Sequence, residues 1–242
     1  MESRTPRSPA VPVDLAAWRP QRFGTGNPKK IVDPLIEPFW PGIRVLVRIG
    51  LGGEVRGPLG APIEIVDEDG VPLAGVADVA DIEEALAAAV RSAKVVIDGY
   101  LTGLATRPTE GIALQGPKAP SAADMATQAF LGSAGQGKRR ELARQHTAAA
   151  AGPLAFVATD LLLLDGEPIL DIPLLERKRI LEQIVEEGQL IRRTAFVRPP
   201  IDPWLGTWRS MGFGSMAYKA ANSRYVPGER NPGWAVVRIP PR

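Results

Sequence analysis

Phe156-Val-Ala-Thr-Asp-Leu-Leu-Leu-Leu164 carries one charge, Asp160, in an otherwise apolar run, and Asp165-Gly166 follows it. A strand with apolar side chains on both faces cannot lie at a sheet edge, so this segment reads as a central strand. Asp-Gly favours a tight turn. Upstream, Lys94-Val-Val-Ile97 reads as a short buried strand running into Asp98-Gly99-Tyr100. Ile43-Arg-Val-Leu-Val-Arg-Ile49 puts Ile and Val on one face and Arg44, Leu46 and Arg48 on the other, the pattern of a half-buried strand. Pro62–Val66, the turn Asp67-Glu-Asp-Gly70 and the return Val71–Leu73 form a hairpin. Asp81 caps a helix from Ile82 to about Ala93, with Ile82, Ala85, Leu86 and Ala89 on one side.

Downstream, Asp171 starts a helix with Pro173 in its first turn; Leu174, Leu175, Ile180, Leu181, Ile184 and Val185 form its apolar face, and Gly188 ends it. Gln189–Val197 is a strand, Pro203–Gly212 a short helix, and Ser215–Lys219 and Trp234–Ile239 are the last strands. Between them, 103–120 is irregular, and Ser121–Gly132 and Gly137–Ala150 read as helices. Strands outnumber helices and do not alternate with them, so the expected class is α+β with two mostly antiparallel sheets packed with helices.

Composition narrows the chemistry. The chain has 242 residues, 45% hydrophobic and 23% charged, enough for a sizeable core. It has no cysteine and one histidine, His146, which excludes disulfides, thiolate metal sites and multi-histidine zinc. A net charge of +2 does not by itself indicate nucleic acid. No apolar run approaches the roughly 18 residues of a membrane span, and the start lacks a signal core, so a soluble cytoplasmic protein is expected. Residues 1–30, rich in Pro and Arg, read as an extended, solvated arm ahead of a domain over 31–242. That arm and the Lys138–Arg144 cluster are the candidate nucleic-acid contacts.

Four segments in order carry a resemblance. They are Glu37-Pro-Phe-Trp-Pro-Gly-Ile-Arg44; Val96-Ile-Asp-Gly-Tyr-Leu101; Phe156–Gly166 with Leu174-Leu-Glu-Arg-Lys-Arg-Ile-Leu181; and Met211–Lys219 with Ser223–Gly228 and Trp234–Arg238. Together they resemble the motifs of the covalent nucleotidyltransferases, nearest to the adenylation domain of ATP-dependent DNA ligases of the bacterial ligase D type. The resemblance implies an ATP-grasp-like nucleotidyltransferase domain. Active ligases carry an oligonucleotide-binding barrel after the closing strand, and Pro240-Pro-Arg242 is expected to leave no room for one here.

That family forms a lysyl-AMP intermediate, and here the resemblance puts Phe39 at the nucleophile position, leaving no catalytic residue to assign. Pro41 stands for an Asp, Tyr100 for a Glu, Gly214 for a Glu and Val236 for a Lys; Thr159 replaces the aromatic before Asp160. The remaining candidates for nucleotide or phosphate binding are Arg44, Asp98, Phe156, Lys219 and Arg238. Arg44, Lys219 and Arg238 read either as a residual anion pocket or as ordinary strand-face charge, and Asp98 as a turn-forming residue ahead of a metal ligand. Asp160 is read as structural. With these carboxylates missing no metal site is assigned, Mg2+ would be poorly held, and ATP is the one cofactor implied. Lys29 or Lys30 is the alternative nucleophile of a still-active ligase. The expectation is a degenerate ligase domain that binds nucleotide, DNA or a DNA-repair protein.

Overall fold

The computed structural model describes residues 14–51, 55–56, 61–74, 76, 78–106 and 153–241. The expected helices at 121–132 and 137–150, with the Lys138–Arg144 cluster and His146, lie outside the described residues. In chain order the elements are β1 (Arg22–Phe23), β2 (Pro34–Pro38), β3 (Ile43–Ile49), β4 (Val55–Arg56), β5 (Pro62–Asp67), α1 (Val79–Ala89), β6 (Val95–Thr102), β7 (Ala155–Leu164), β8 (Glu167–Pro168), α2 (Leu174–Ile184), β9 (Ile191–Arg193), α3 (Asp202–Ser210), β10 (Ser215–Ala220), β11 (Arg230–Asn231) and β12 (Trp234–Arg238).

The large sheet runs β4-β5-β3-β6-β7-β8, with β9 added to β7; a small sheet runs β12-β10-β2, and β1 pairs with β11. All pairings are antiparallel except β7 with β9 and β1 with β11. β7 is central, as its apolar run requires, and buried over all but its last residue. It turns into β8 through Asp165 (φ 50°) and Gly166 (φ 87°), two left-handed residues that suit a tight hairpin. One face of the large sheet, Val45, Val47, Ile65, Ile97, Phe156 and Ala158 among others, packs under α1 and α2 through Ile82, Leu86, Leu181 and Val185. The opposite face meets the small sheet: Leu46, Val66, Val96 and Leu162 pack with Leu35 and Trp234. Beyond the small sheet, Ile36 and Met216 pack with Trp208 of α3.

Several expectations shift. β3 is buried on both faces, with Leu46 at 0% and Arg48 at 7% exposure, because the second sheet covers what alternation marks as the solvent side. Asp98-Gly99 lies inside β6 and not at a turn; it is the site of a register shift against β7. Gly is needed there, since a Cβ on Gly99 would meet the Phe156 ring at 2.4 Å. α1 starts at Val79 after Asp78, three residues before Asp81 would cap it. The segment from Asp14 to Lys30 is no solvated arm: Trp18 (7% exposed) and Gln21 (0%) are buried against the body. Among the described residues no helix is long and apolar enough to cross a membrane.

Candidate active site

Pairing decides which side chains enter the gap between the sheets, because directly opposed residues share a face. In the small sheet Ala217 opposes Glu37 and Val236, and Lys219 opposes Leu35 and Trp234. In the large sheet Arg44 opposes Tyr100, and Leu46 opposes Asp98. Glu37, Lys219, Arg44, Asp98 and Tyr100 therefore converge in one cleft although 182 positions separate Glu37 from Lys219.

Two charge clusters occupy it. Glu37 is shared by two lysines: Lys178 Nζ lies 2.6 Å from Oε1 and Lys219 Nζ 3.0 Å from Oε2, and all three side chains are at most 3% exposed. Lys178 also donates to the Thr159 carbonyl (2.9 Å), and the Lys219 ammonium sits 4.6 Å from the Trp234 ring centroid. Burial lowers the Lys219 pKa; Glu37 pulls against that, and the second ammonium, Lys178, adds to it. In the other cluster Arg44 grips Asp98 with both arms of its guanidinium, Nε at 3.1 Å and an Nη at 2.7 Å. The Tyr225 hydroxyl donates to the same carboxylate at 2.7 Å and accepts from the Gln21 amide at 2.8 Å. Burial, the largest single influence, would lower the Arg44 pKa, but Asp98, Tyr100 and Tyr225 together hold it well above normal. Deeper, Asp160 and Arg177 form a bidentate pair, both contacts 2.8 Å, with both side chains fully buried. The reading of Asp160 as structural agrees with this.

Aromatic rings fill the rest. Phe39 stands edge-on to Phe23 (5.6 Å between centroids) and to Tyr100 (5.9 Å), and Phe23 also touches Trp234 (5.5 Å). The cavity left among Phe23, Glu37, Phe39, Tyr100, Thr159 and Lys219 measures about 10 Å³. That is room for about one water, where small-molecule sites run from about 300 Å³ upward. Neither a nucleotide nor a lysyl nucleotide fits it. A metal fits no better: among the described residues no three His, Cys, Asp or Glu side chains converge.

The expected site residues separate into two groups. Arg44, Asp98, Lys219, Phe39 and Tyr100 come together. Phe156 does not; it faces α1 and α2 on the far side of β7 with 0% exposure, and Thr159 lines the cleft. Arg238 opposes Ser215, four residues beyond Lys219 along β10 and thus roughly 13 Å away. Val236 is on the cleft side of the small sheet but 39% exposed, and neither Pro41 nor Gly214 lines the cavity. Gly42 has φ 126°, and a Cβ there would sit 2.1 Å from the Leu101 carbonyl oxygen. Sequence reasoning assigned no role to Glu37, Lys178, Tyr225 or Gln21. Glu37, Lys178 and Tyr225 lie within quoted motifs and Lys219 is a named candidate, but nothing local pairs Glu37 with the two lysines.

Tyr100 offers a pH test. Burial pushes its pKa up to about 12, helped by Asp98 and Glu37 and opposed by Arg44. A raised folded pKa keeps the proton on in the native state, so its stabilisation is present below the unfolded value of 10.0 and lost as pH climbs toward 12. Tyr225 is shifted the same way. Lys219, shifted down, acts oppositely until its unfolded pKa near 10.4 is passed. Urea titrations between pH 9 and 12 should therefore show Tyr100→Phe losing less stability than wild type, by roughly 2–3 kcal/mol over the range. Parallel curves for the two proteins would contradict the assignment.

The fold is mixed α/β, with two facing, mostly antiparallel sheets around a charged cleft, and comparison with known proteins identifies it as a nucleotidyltransferase fold. The ATP dependent DNA ligase domain matches residues 79–237, more than half of the chain. The chain belongs to that family. A probable DNA ligase of Streptomyces coelicolor is 32% identical over 136 residues, covering 54% of this chain and 26% of that protein. The DNA ligase of Thermococcus onnurineus is 31% identical over 90 residues, 36% of this chain and 16% of that one. Among solved structures, the ligase domain of M. tuberculosis LigD (TM-score 0.58) and a mycobacterial DNA ligase D complexed with ATP and MES (0.59) share the fold at 20% identity; each alignment covers 93% of this chain and 61% of the other. The chain thus spans about a quarter or less of the curated relatives it matches.

Proposed function

We propose that this chain is a DNA ligase-type nucleotidyltransferase domain that has given up nucleotide transfer and serves as a binding or scaffold module for DNA or a DNA-repair protein. One observation carries the reading: the Phe39 ring, at the position that the motif resemblance assigns to the nucleophile, is packed between Phe23 and Tyr100 over a cavity of about 10 Å³. A ring has no lone pair with which to attack phosphorus, and with Phe23 in place the cavity beside it is too small for a nucleotide. The charges support it further, because Glu37 and Asp98 are consumed by lysine and arginine partners and neither is left to hold a metal. Lys29 and Lys30 sit exposed in a 3-10 turn and do not line the cavity, which weighs against a substitute nucleophile on the segment. The lack of cysteine fits a reducing compartment such as the cytoplasm.

The test is incubation of the purified chain with labelled ATP, magnesium and nicked duplex DNA. No protein-bound label and no sealing are expected, while the duplex is retained with an affinity that falls as salt rises. Phe39→Lys is expected to stay unlabelled too, since it adds an amine beside Lys219 without restoring a carboxylate at 100 or 214. A base-stable, acid-labile label on Lys29, Lys30, Lys219 or any other lysine of the wild type would overturn the inactive reading. Absence of both duplex and protein capture would overturn the module reading.

A further inference from the structure

We infer that Phe23 is a tethered occupant of the cleft mouth, and that residues 14–30 form a strap whose release uncovers a site for a planar aromatic anion. The inference rests on the closed cleft of the proposed function and adds what closes it and that the closure is reversible.

The occupant's environment is that of a bound ligand. Its ring touches Phe39 and Trp234, lies 5.6 Å from the Arg44 guanidinium carbon and 5.9 Å from the Lys219 ammonium, and helps line the remaining cavity. Two cations thus face a ring that carries no charge. One of them, Lys219, must share Glu37 with Lys178, so the cleft holds a surplus of positive charge that an anion would balance.

Around the buried Trp18 the strap is docked by the Gln21 amide on the Tyr225 hydroxyl (2.8 Å), by Arg48 on the Ala16 and Trp18 carbonyls (3.3 and 3.5 Å) and by Arg230 on the Phe23 carbonyl (3.2 Å), with main-chain bonds besides. The Arg22 amide donates to the Glu229 carbonyl (2.7 Å), the Gly24 amide to Trp234 (2.9 Å) and the Gly228 amide to Arg19 (2.9 Å). The Val226 amide donates to the Gln21 side-chain oxygen. Only two residues, Arg22 and Phe23, pair as strand. Three features oppose docking. Gln21 Nε2 and Arg48 Nε are buried beneath the strap with no hydrogen-bond acceptor. Arg22 and Arg230 are direct partners in the parallel pair, so two like charges lie side by side, although the Arg230 guanidinium also donates to the Phe23 carbonyl at 3.2 Å. An anion with an aromatic ring can replace Phe23 and neutralise the cleft in one step.

The test uses the full chain. Hydrogen exchange at the Arg22 and Gly24 amides should be at least about 100-fold faster than at Val45 and Val47 of β3, the signature of local opening below global unfolding. Added salt should slow the strap amides, because it screens the arginine pair. Phe23→Ala should bind anilinonaphthalene sulfonate at least about 10-fold more tightly than wild type, with unchanged circular dichroism. Because that variant could unfold, a second arm clamps the strap in an otherwise native cleft: Arg22→Cys with Arg230→Cys, partners whose parallel spacing of about 4.8 Å lies within disulfide reach. Oxidation should abolish probe binding and reduction restore it. Strap amides as protected as Val45, or probe binding indifferent to the clamp, would overturn the inference. Neither result bears on covalent labelling by ATP, so the two readings fail separately.

Discussion

Glu37→Gln is expected to remove about 3–5 kcal/mol of unfolding free energy at neutral pH, the typical cost of deleting one partner of a buried ion pair. The carboxylate serves two ammonium groups, each at most 3% exposed, and an amide would leave both without a counter-charge. The adjoining cavity, about 10 Å³, has room for about one water, which cannot replace a full negative charge beside two ammonium groups. Lys219→Met should cost less than half as much: Lys178 then keeps Glu37 neutralised, and a thioether chain can lie on the Trp234 ring where the ammonium did. Urea denaturation of both variants decides the matter. A Glu37→Gln protein within about 1 kcal/mol of wild type would show that one lysine is already neutral and that the trio is not held together by charge.

Arg177→Met should be of comparable severity, again about 3–5 kcal/mol. Among the described residues Arg177 is the one cation ion-paired with Asp160, in a pair with no exposure on either side, and it also donates to the carbonyls of Ile172 and Ser223. The Leu161 amide is the one other donor described on that carboxylate. Removing both charges should be gentler than removing one. Asp160→Asn combined with Arg177→Met is expected to be more stable than the sum of the single effects allows, with a coupling of about 1–3 kcal/mol in a double-mutant cycle. Additivity within about 0.5 kcal/mol would mean that the carbonyl contacts, and not the ion pair, carry the effect.

Much of the backbone was legible because its signals are local. Alternation places Ile43–Ile49 at the bounds observed, the apolar run at Phe156–Leu164 misses β7 by one residue, and the 3.6-residue period finds Leu174–Ile184 within a longer proposed helix. The errors share a cause, which is partners distant in sequence. Asp98-Gly99 reads as a turn because that dipeptide favours one, yet Arg44 and Tyr225, 54 and 127 positions away, fix the carboxylate inside a strand. Arg48 reads as solvent-facing because one strand's pattern cannot reveal a second layer above it. Phe156 was placed in the cleft by motif position, whereas a pleated strand sends it to the face opposite Thr159. The Phe23 contact was invisible for a further reason: proline and arginine content describes how a segment behaves alone, not what an aromatic within it can reach.

Gly42 bears on how such a domain changes over time. Its left-handed backbone and its 2.1 Å clearance to the Leu101 oxygen exclude every side chain, whatever happens to the reaction next door. Position 39 faces the cleft and takes a ring packed between Phe23 and Tyr100, whereas position 42 meets main chain and takes no side chain at all. What fills a cleft can therefore vary while the backbone contact that frames it cannot.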